Sequence, residues 1–276
     1  MMPEIVLLIL SICLLIRIIF EKQNGRMIED ACDGMAQTTG NKEVQADAVK
    51  IAVTTAGKLA VMADGIGKEK IGKVCANLAV EEFINAFSFY QTLHNPEYFF
   101  ERTIYSIHKH MQKILDECQG GASLGAVLLT RGRLHYAVAG QVKITLVRNG
   151  ELIPLVEGQT IGVLACQAYK DGKLSRQDTI WSKKDNSVWN YIGKDGFRSI
   201  EIAQMPIELK WGDLVIMMTK GIFEELSYAQ LERVLINPVL SAKEKAKRVI
   251  HQIEGLPKQD KENGSILVIL TDGAIG

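Results

Sequence analysis

The apolar residues of this chain change their spacing repeatedly between Ala48 and Leu270, and the order of those changes leaves few folds open. Ala48–Val53 and Lys58–Ala63 are β-rich runs flanking Thr54-Thr55-Ala56-Gly57, which reads as a hairpin. From Ile71 the recurrence lengthens to three and four residues, through Cys75, Leu78, Phe83 and Phe87 and again through Phe100, Ile104, Ile107 and Met111. That spacing predicts two amphipathic helices, the second opened near Pro96 and closed by Gly120-Gly121. Leu124 to Leu155 returns to short apolar runs broken at Arg131-Gly132 and Asn149-Gly150, a meander of antiparallel strands. Leu214–Met218 predicts another strand. Ser227 with Gln230 and Ser241 with Glu244 match capping boxes that open two further helices, and Ser265–Leu270 predicts a buried closing strand. Strands, helices, strands, helices and a last strand predict an α+β layered fold with mostly antiparallel sheets.

The first residues obey a different rule. From Ile5 to Phe20, 14 of 16 residues are apolar, and counted from Met1 the run is long enough to cross a bilayer as a helix of about 30 Å. Its positive charges, Arg17, Lys22 and Arg26, follow the apolar run, and no small-residue cleavage site succeeds it. These features predict a transmembrane helix over residues 1–22, a tether over 23–40 and one globular domain over 41–276. The Lys/Arg bias places that domain on the cytoplasmic side of the cell membrane. Five scattered cysteines without a C-x-x-C pair fit a reducing compartment. With 32 Lys+Arg against 32 Asp+Glu the chain carries no net charge, and no nucleic-acid partner is expected.

Asp64-Gly65-Ile66-Gly67 falls between the end of a predicted strand and the first predicted helix. A carboxylate there, followed by glycines that let a ligand approach the backbone, suits a hard cation held by oxygen; an ordinary Asp-Gly turn is the plainer alternative. A phosphate-cradling loop is disfavoured, since neither G-x-x-x-x-G-K-[ST] nor G-x-G-x-x-G is present. The histidines offer one close pair, His108 and His110, on different sides of a helix and read as surface residues. Lys243, Lys245, Lys247 and Arg248 read as a solvated helix face, with anionic lipid or an acidic partner as the alternative.

Taken in order, Asp64-Gly65-Ile66-Gly67, Gly121-Ala122-Ser123-Leu124, Ala139-Gly140, Asn190-Tyr191-Ile192-Gly193, Gly212-Asp213, Thr219-Lys220-Gly221 and Glu262-Asn263-Gly264-Ser265 resemble the successive motifs of the metal-dependent type 2C (PPM-type) Ser/Thr protein phosphatases. The resemblance runs from about Gly40 to Leu270 and implies a β-sandwich of two mostly antiparallel sheets flanked by helix pairs. It also implies a chemistry, in which Mg²⁺ or Mn²⁺ ions bound by carboxylates activate a water for attack on phosphoserine or phosphothreonine. By that likeness Asp64 is the bridging carboxylate, Gly65 offers a backbone carbonyl to metal and Asp47 contacts metal-bound water. Glu262 stands as a metal ligand, with Asn263 and Ser265 in supporting positions.

The departures concern charge. Lys220 stands where the family has a metal-binding Asp, Lys42 where it has a phosphate-binding Arg, Ala46 where an acidic residue is expected, and Gln141 where Asp is usual. An Asp-to-Lys exchange alters the local charge by two units, which against a dication about 4 Å away at an effective dielectric of about 20 approaches about 15 kcal/mol before screening. The Lys220 ammonium is expected either to replace a cation, pairing with Asp64 and Glu262, or to swing out to solvent. The reading that follows is a membrane-tethered pseudophosphatase, reduced to one ion or none, that binds a phosphoprotein or other protein partner. The alternatives are an active Mn²⁺- or Mg²⁺-dependent phosphatase with a reduced metal set and a non-catalytic scaffold of a membrane complex.

Overall fold

The computed structural model describes residues 33–68, 70–116 and 118–271. The transmembrane helix expected over 1–22 and residues 23–32 of the tether lie outside the described residues. Among the described residues no helix is long and apolar enough to cross a membrane.

The strands that read as unbroken apolar runs are those buried on both faces. In β3 (Gly57–Gly67), Leu59, Val61 and Ala63 face one core while Ala60 and Met62 face another. In β10 (Leu214–Met218), Val215 and Met217 point inward between two sheets, and Ile216 and Met218 point out to helices. β11 (Gly264–Leu270) alternates in the same way, with Leu267 and Ile269 inward and Ile266 and Val268 outward. A strand covered on both sides has no polar face to show, so continuous hydrophobicity is its signature.

One sheet orders β1 (Gly34–Thr38), β11, β10, β6 (Lys143–Arg148) and β7 (Glu151–Pro154). The other orders β2 (Ala48–Thr54), β3, β4 (Gly120–Thr130), β5 (Arg133–Ala139) and β8 (Glu201–Ile202), with β9 (Ile207–Glu208) also on β5. Every pairing between these strands is antiparallel. Helices α1 (Ile71–Ser88) and α2 (Pro96–Leu115) cover the second sheet through Phe83, Phe87, Phe99 and Phe100, whose rings meet at tilted and edge-on angles. Helices α6 (Tyr228–Leu235) and α7 (Ala242–Glu254) cover the first sheet, each opened by the capping box expected of it. The product is a four-layer sandwich, helices on sheet on sheet on helices, with three apolar cores.

Several expectations require correction. Gly34–Thr38, placed in the tether, is a strand paired to β11; it has little intrinsic strand character, and Gly34 lies so close to α7 that a Cβ would come within 2.0 Å of the Ala242 carbonyl. Asp64–Gly67 continues β3 opposite Ser123–Gly120, so Gly120-Gly121 start a strand instead of closing α2, which ends at Leu115. The apolar spacing does not predict α3 (Ile161–Lys170) or α4 (Arg176–Ser182), short helices that bury only Gly162, Ala165 and Thr179. His108 is buried, not on the surface, accepting a hydrogen bond from the Gly193 N–H at 3.1 Å and packing on Phe197. Lys245 is buried as well, its ammonium donating to the carbonyls of Leu235 (2.6 Å) and Asn237.

Candidate active site

Antiparallel register builds the site. Ala48 lies opposite Ala63, which puts Asp47 and Asp64 on the next rung, just past the paired residues of β2 and beside β4. The end of β10 and the start of β11 arrive at the same place. Thr219, after β10, donates its hydroxyl to Asp47 Oδ2 at 2.8 Å, and Ser265 at the head of β11 donates to the same oxygen at 2.6 Å. Thr219 Oγ1 in turn accepts the Ser265 N–H at 2.8 Å, and Gln37 of β1 donates to Ser265 Oγ at 2.9 Å. Asp47 is therefore clamped between two sheets, and its other oxygen, Oδ1, is buried without a hydrogen-bond partner among the described residues. Asn263 latches the adjoining loops, accepting the Ala46 N–H at 2.9 Å and donating to the Thr39 carbonyl at 2.9 Å.

Two glycines allow this convergence. A Cβ on Gly65 would sit 2.2 Å from the Gly72 carbonyl oxygen of α1 and 2.7 Å from that of Ala46. A Cβ on Gly221 would sit 2.0 Å from the Asn263 carbonyl oxygen. Both neighbours are backbone, so neither yields as a flexible side chain would.

The charges divide the site into an inner and an outer part. Asp64 keeps some surface open to a recess of about 380 Å³ that it shares with Ser123, Gln141, Lys220 and Glu262. Burial, followed by the charge of Asp47, holds the Asp64 carboxyl above the ordinary carboxylate range, against the opposing influence of Lys220. Burial likewise raises Asp47, although hydrogen bonds from Ser265 and Thr219 favour its ionised form. In the outer part Glu262 lies 3.4 Å from the Lys42 ammonium, which also holds Asp260 at 2.7 Å. Gln141 is buried with its carbonyl oxygen unpartnered among the described residues.

Lys220 does not pair with the cleft carboxylates, and its side chain, 38% exposed, is nearer the alternative of turning out to solvent. Its ammonium pairs with Glu224 at 3.7 Å, one turn along α5 (Lys220–Phe223), and not with Asp64 or Glu262. Only its backbone N–H reaches Asp64, at 3.4 Å from Oδ2. The residue still lines the recess, and its charge is still felt by Asp64. The residues present do not form a site for a pair of dications: Glu262 lies against Lys42, and among the described residues no three His, Cys, Asp or Glu side chains converge on one point.

No family model matches the sequence, and no curated protein does either. Solved structures do. A serine/threonine phosphatase from S. agalactiae superposes with a TM-score of 0.74 at 18% identity, over 87% of this chain and 99% of that one. Stp1 of Staphylococcus aureus gives 0.73 at 15%, over 87% and 95%. The PPM Ser-Thr phosphatase MsPP of Mycobacterium smegmatis gives 0.68 at 15%, over 87% and 98%. The fold is that of the PPM-type Ser/Thr phosphatases. Another chain of this PPM fold, the catalytic domain of PstP, is known in complex with two manganese ions, at 17% identity and a TM-score of 0.66 over 86% of this chain and 96% of that one.

The structure brings Asp47, Asp64, Gly65, Asn263 and Ser265 to the end of the PPM sandwich where the motifs converge, with Glu262, Lys42, Ala46, Gln141 and Lys220 around them. Sequence reasoning missed the part played by Thr219, which a hydroxyl at a strand end beside a glycine signals only faintly. It also missed Gln37, in a strand read as tether. A third omission is buried Gln159, whose Nε2 donates to half-buried Ser199 and whose Oε1 accepts the Gly140 N–H at 2.8 Å and a hydrogen bond from Asn190 Nδ2, which also donates to Ser199.

Proposed function

We propose that this chain is a membrane-tethered protein of PPM fold with impaired phosphatase chemistry, which uses its cleft to bind a phosphoprotein at the cytoplasmic membrane face. The observation that carries the reading is the recruitment of protein cations to the outer cleft, with Lys42 on Glu262 and Lys220 lining the recess where a ligand carboxylate would be needed. Lys220 stands in place of negative charge that a dication requires, and both lysines offer positive charge that a phosphoryl group favours. Binding is thereby separated from hydrolysis. Gln141 also borders a neighbouring cleft of about 840 Å³ lined by Lys143, Lys170, Lys183 and Lys258 against Glu157 and Glu224, with an excess of positive charge toward an acidic or phosphorylated segment.

The Asp47 oxygen left without a partner among the described residues and the position of Asp64 on the recess favour a second reading, an enzyme working with a single Mn²⁺ or Mg²⁺. One experiment separates the two. The full chain is titrated with Mn²⁺ by calorimetry while hydrolysis of a phosphothreonine peptide and of an aryl phosphate is followed. Peptide binding without turnover supports the proposal. Turnover of about 1 s⁻¹ or faster, an ordinary enzymatic rate, would replace it with the second reading.

A further inference from the structure

We infer that the end of the sandwich opposite the cleft is a docking surface for an anionic lipid bilayer, in which a recess carrying Arg131, Arg133, His94 and His135 receives a phosphorylated lipid headgroup and Trp211 enters the interface beside it. The inference rests on the membrane tether proposed above. It begins from register. β3 runs from Asp64 at the cleft to Gly57 at the other end, about 23 Å away at about 3.3 Å per residue. At that far end lie the turns Thr54–Gly57, Arg131–Gly132 and Asn149–Gly150, and there Asp33 hands the chain to β1, fixed by ion pairing to Lys58 at 3.0 Å and by the Leu270 N–H at 2.9 Å. The apolar run therefore reaches the domain at the end away from the cleft. Residues 21–32 between them extend at most about 40 Å.

The far end has the chemistry of a membrane contact. A recess of about 590 Å³ opens between the Thr54–Gly57 turn, the Arg131–Gly132 turn and the loop from α1 to α2; Arg131, Arg133, His94 and His135 line it and no carboxylate does. Among the described residues Arg148, a third arginine at this end, is committed to Asp213 at 2.6 Å, whereas Arg131 and Arg133 have no carboxylate within ion-pairing distance. Arg131 also occupies a left-handed backbone position (φ 50°) that suits Asn, as its neighbour turn shows with Asn149 (φ 53°). A basic side chain thus sits where the turn alone would select Asn. The Leu209 N–H bonds the Gly132 carbonyl at 2.8 Å, which sets Trp211 next to this turn, 91% exposed. Val53, 72% exposed, flanks the recess from the other side. Arginines without an ion-pair partner among the described residues, around a recess with an exposed Trp at its border, match an anionic headgroup layer, where the cation meets phosphate and the indole ring meets the acyl boundary.

The test uses the full chain reconstituted in vesicles of phosphatidylcholine alone or mixed with phosphatidylglycerol. Retention in neutral vesicles after alkaline carbonate washing reads the tether by itself. Quenching of tryptophan fluorescence by brominated lipid, taken as the difference between wild type and Trp211→Phe, reads the docking. The Trp211 signal should be quenched in the anionic vesicles and weakly in the neutral ones. Arg131→Asn with Arg133→Gln should lower the docking equilibrium about tenfold or more, as expected for removing two cations from a charged leaflet. Arg131→Asn supplies the residue the turn prefers, so this variant is expected to fold. A retained chain whose Trp211 ignores anionic lipid overturns the docking and leaves the tether standing; a chain washed out of neutral vesicles overturns the tether and the docking with it. Stabilisation of the protein by inorganic phosphate through these arginines, without a Trp211 response to vesicles, would assign a soluble anion and overturn the lipid.

Discussion

The inner and outer parts of the cleft adjoin one another and follow opposite rules. Inside, Asp47, Thr219, Ser265 and Asn263 are tied to one another and to backbone by short hydrogen bonds that span both sheets. Outside, Lys42 with Asp260 and Glu262, and Lys220 with Glu224, form pairs of 2.7 to 3.7 Å that remain partly open to solvent. Inner residues answer to packing, because a change there leaves a buried group unsatisfied or forces backbone apart. Outer residues answer to charge, which solvent screens and side chains can evade. The difference lets a scaffold of this fold hold its inner geometry independently of the charges in its outer cleft.

The strongest way to break the inner part is to fill its close approach. Gly65→Ala places a methyl group 2.2 Å from a carbonyl oxygen of α1, and the loss of stability should be about 3 kcal/mol, the upper range of overpacking by one carbon. Denaturant unfolding of the variant checks this, and an unchanged midpoint would mean that β3 and α1 separate easily. Asp47→Ala comes next. It removes the acceptor for two buried hydroxyl donors and should cost about 2 kcal/mol by the same measurement, whereas Asp47→Asn keeps an acceptor in place and should cost less.

The carboxyl pair also predicts a pH dependence. Asp64 is held above its unfolded pKa by burial and by Asp47, so the folded state binds this proton more tightly than the unfolded state does. Its stabilising contribution is complete below the ordinary carboxylate range and is lost as pH rises through the raised folded value. In chelator, Asp64→Asn should therefore gain on wild type toward alkaline pH, on the order of 1 kcal/mol, with no gain under acid conditions. Parallel melting curves for the two proteins across that range would remove the buried-charge account.

How much of this could be read from the sequence depended on what each residue answers to. The double-faced strands β3, β10 and β11 were legible because burial on both sides leaves only apolar residues. The capping boxes at Ser227 and Ser241 were legible because a cap is a local hydrogen bond between residues three apart. β1 was not, since its strand state is imposed by β11 from more than two hundred residues away. Within the site, Asp64 stood out as a carboxylate at a strand end, whereas Asp47 and Lys220 were marked only by their place in the family resemblance. The course of the Lys220 side chain was hidden, because it is set by Glu224 four residues on, a contact that exists only once α5 has formed.

A smaller effect on the fold, and a sharper one on the charge, is expected at Lys220. Lys220→Asp exchanges a cation lining the recess for a carboxylate and should raise Mn²⁺ affinity at least about tenfold, far below the full Coulomb estimate because Glu224 already offsets part of the lysine charge. Calorimetric titration reads it directly. A normally folded variant with no gain would place this side chain outside the reach of the cations.

The smallest effect should come from Lys42→Ala. Its partner Asp260 is 81% exposed and Glu262 is 47% exposed, so the pairs are solvent-screened and the loss of stability should be no more than about 0.5 kcal/mol. The value of this variant lies in what it releases. Glu262 is freed from its lysine and the carboxylates of the recess regain one unit of negative charge, so a modest gain in Mn²⁺ affinity should accompany a loss in affinity for a phosphothreonine peptide. Opposite movement of the two affinities, measured on the same preparation, is what a cleft turned from metal toward phosphate requires. If both fall together, Lys42 supports the cleft as packing and the outer part obeys the rule of the inner one.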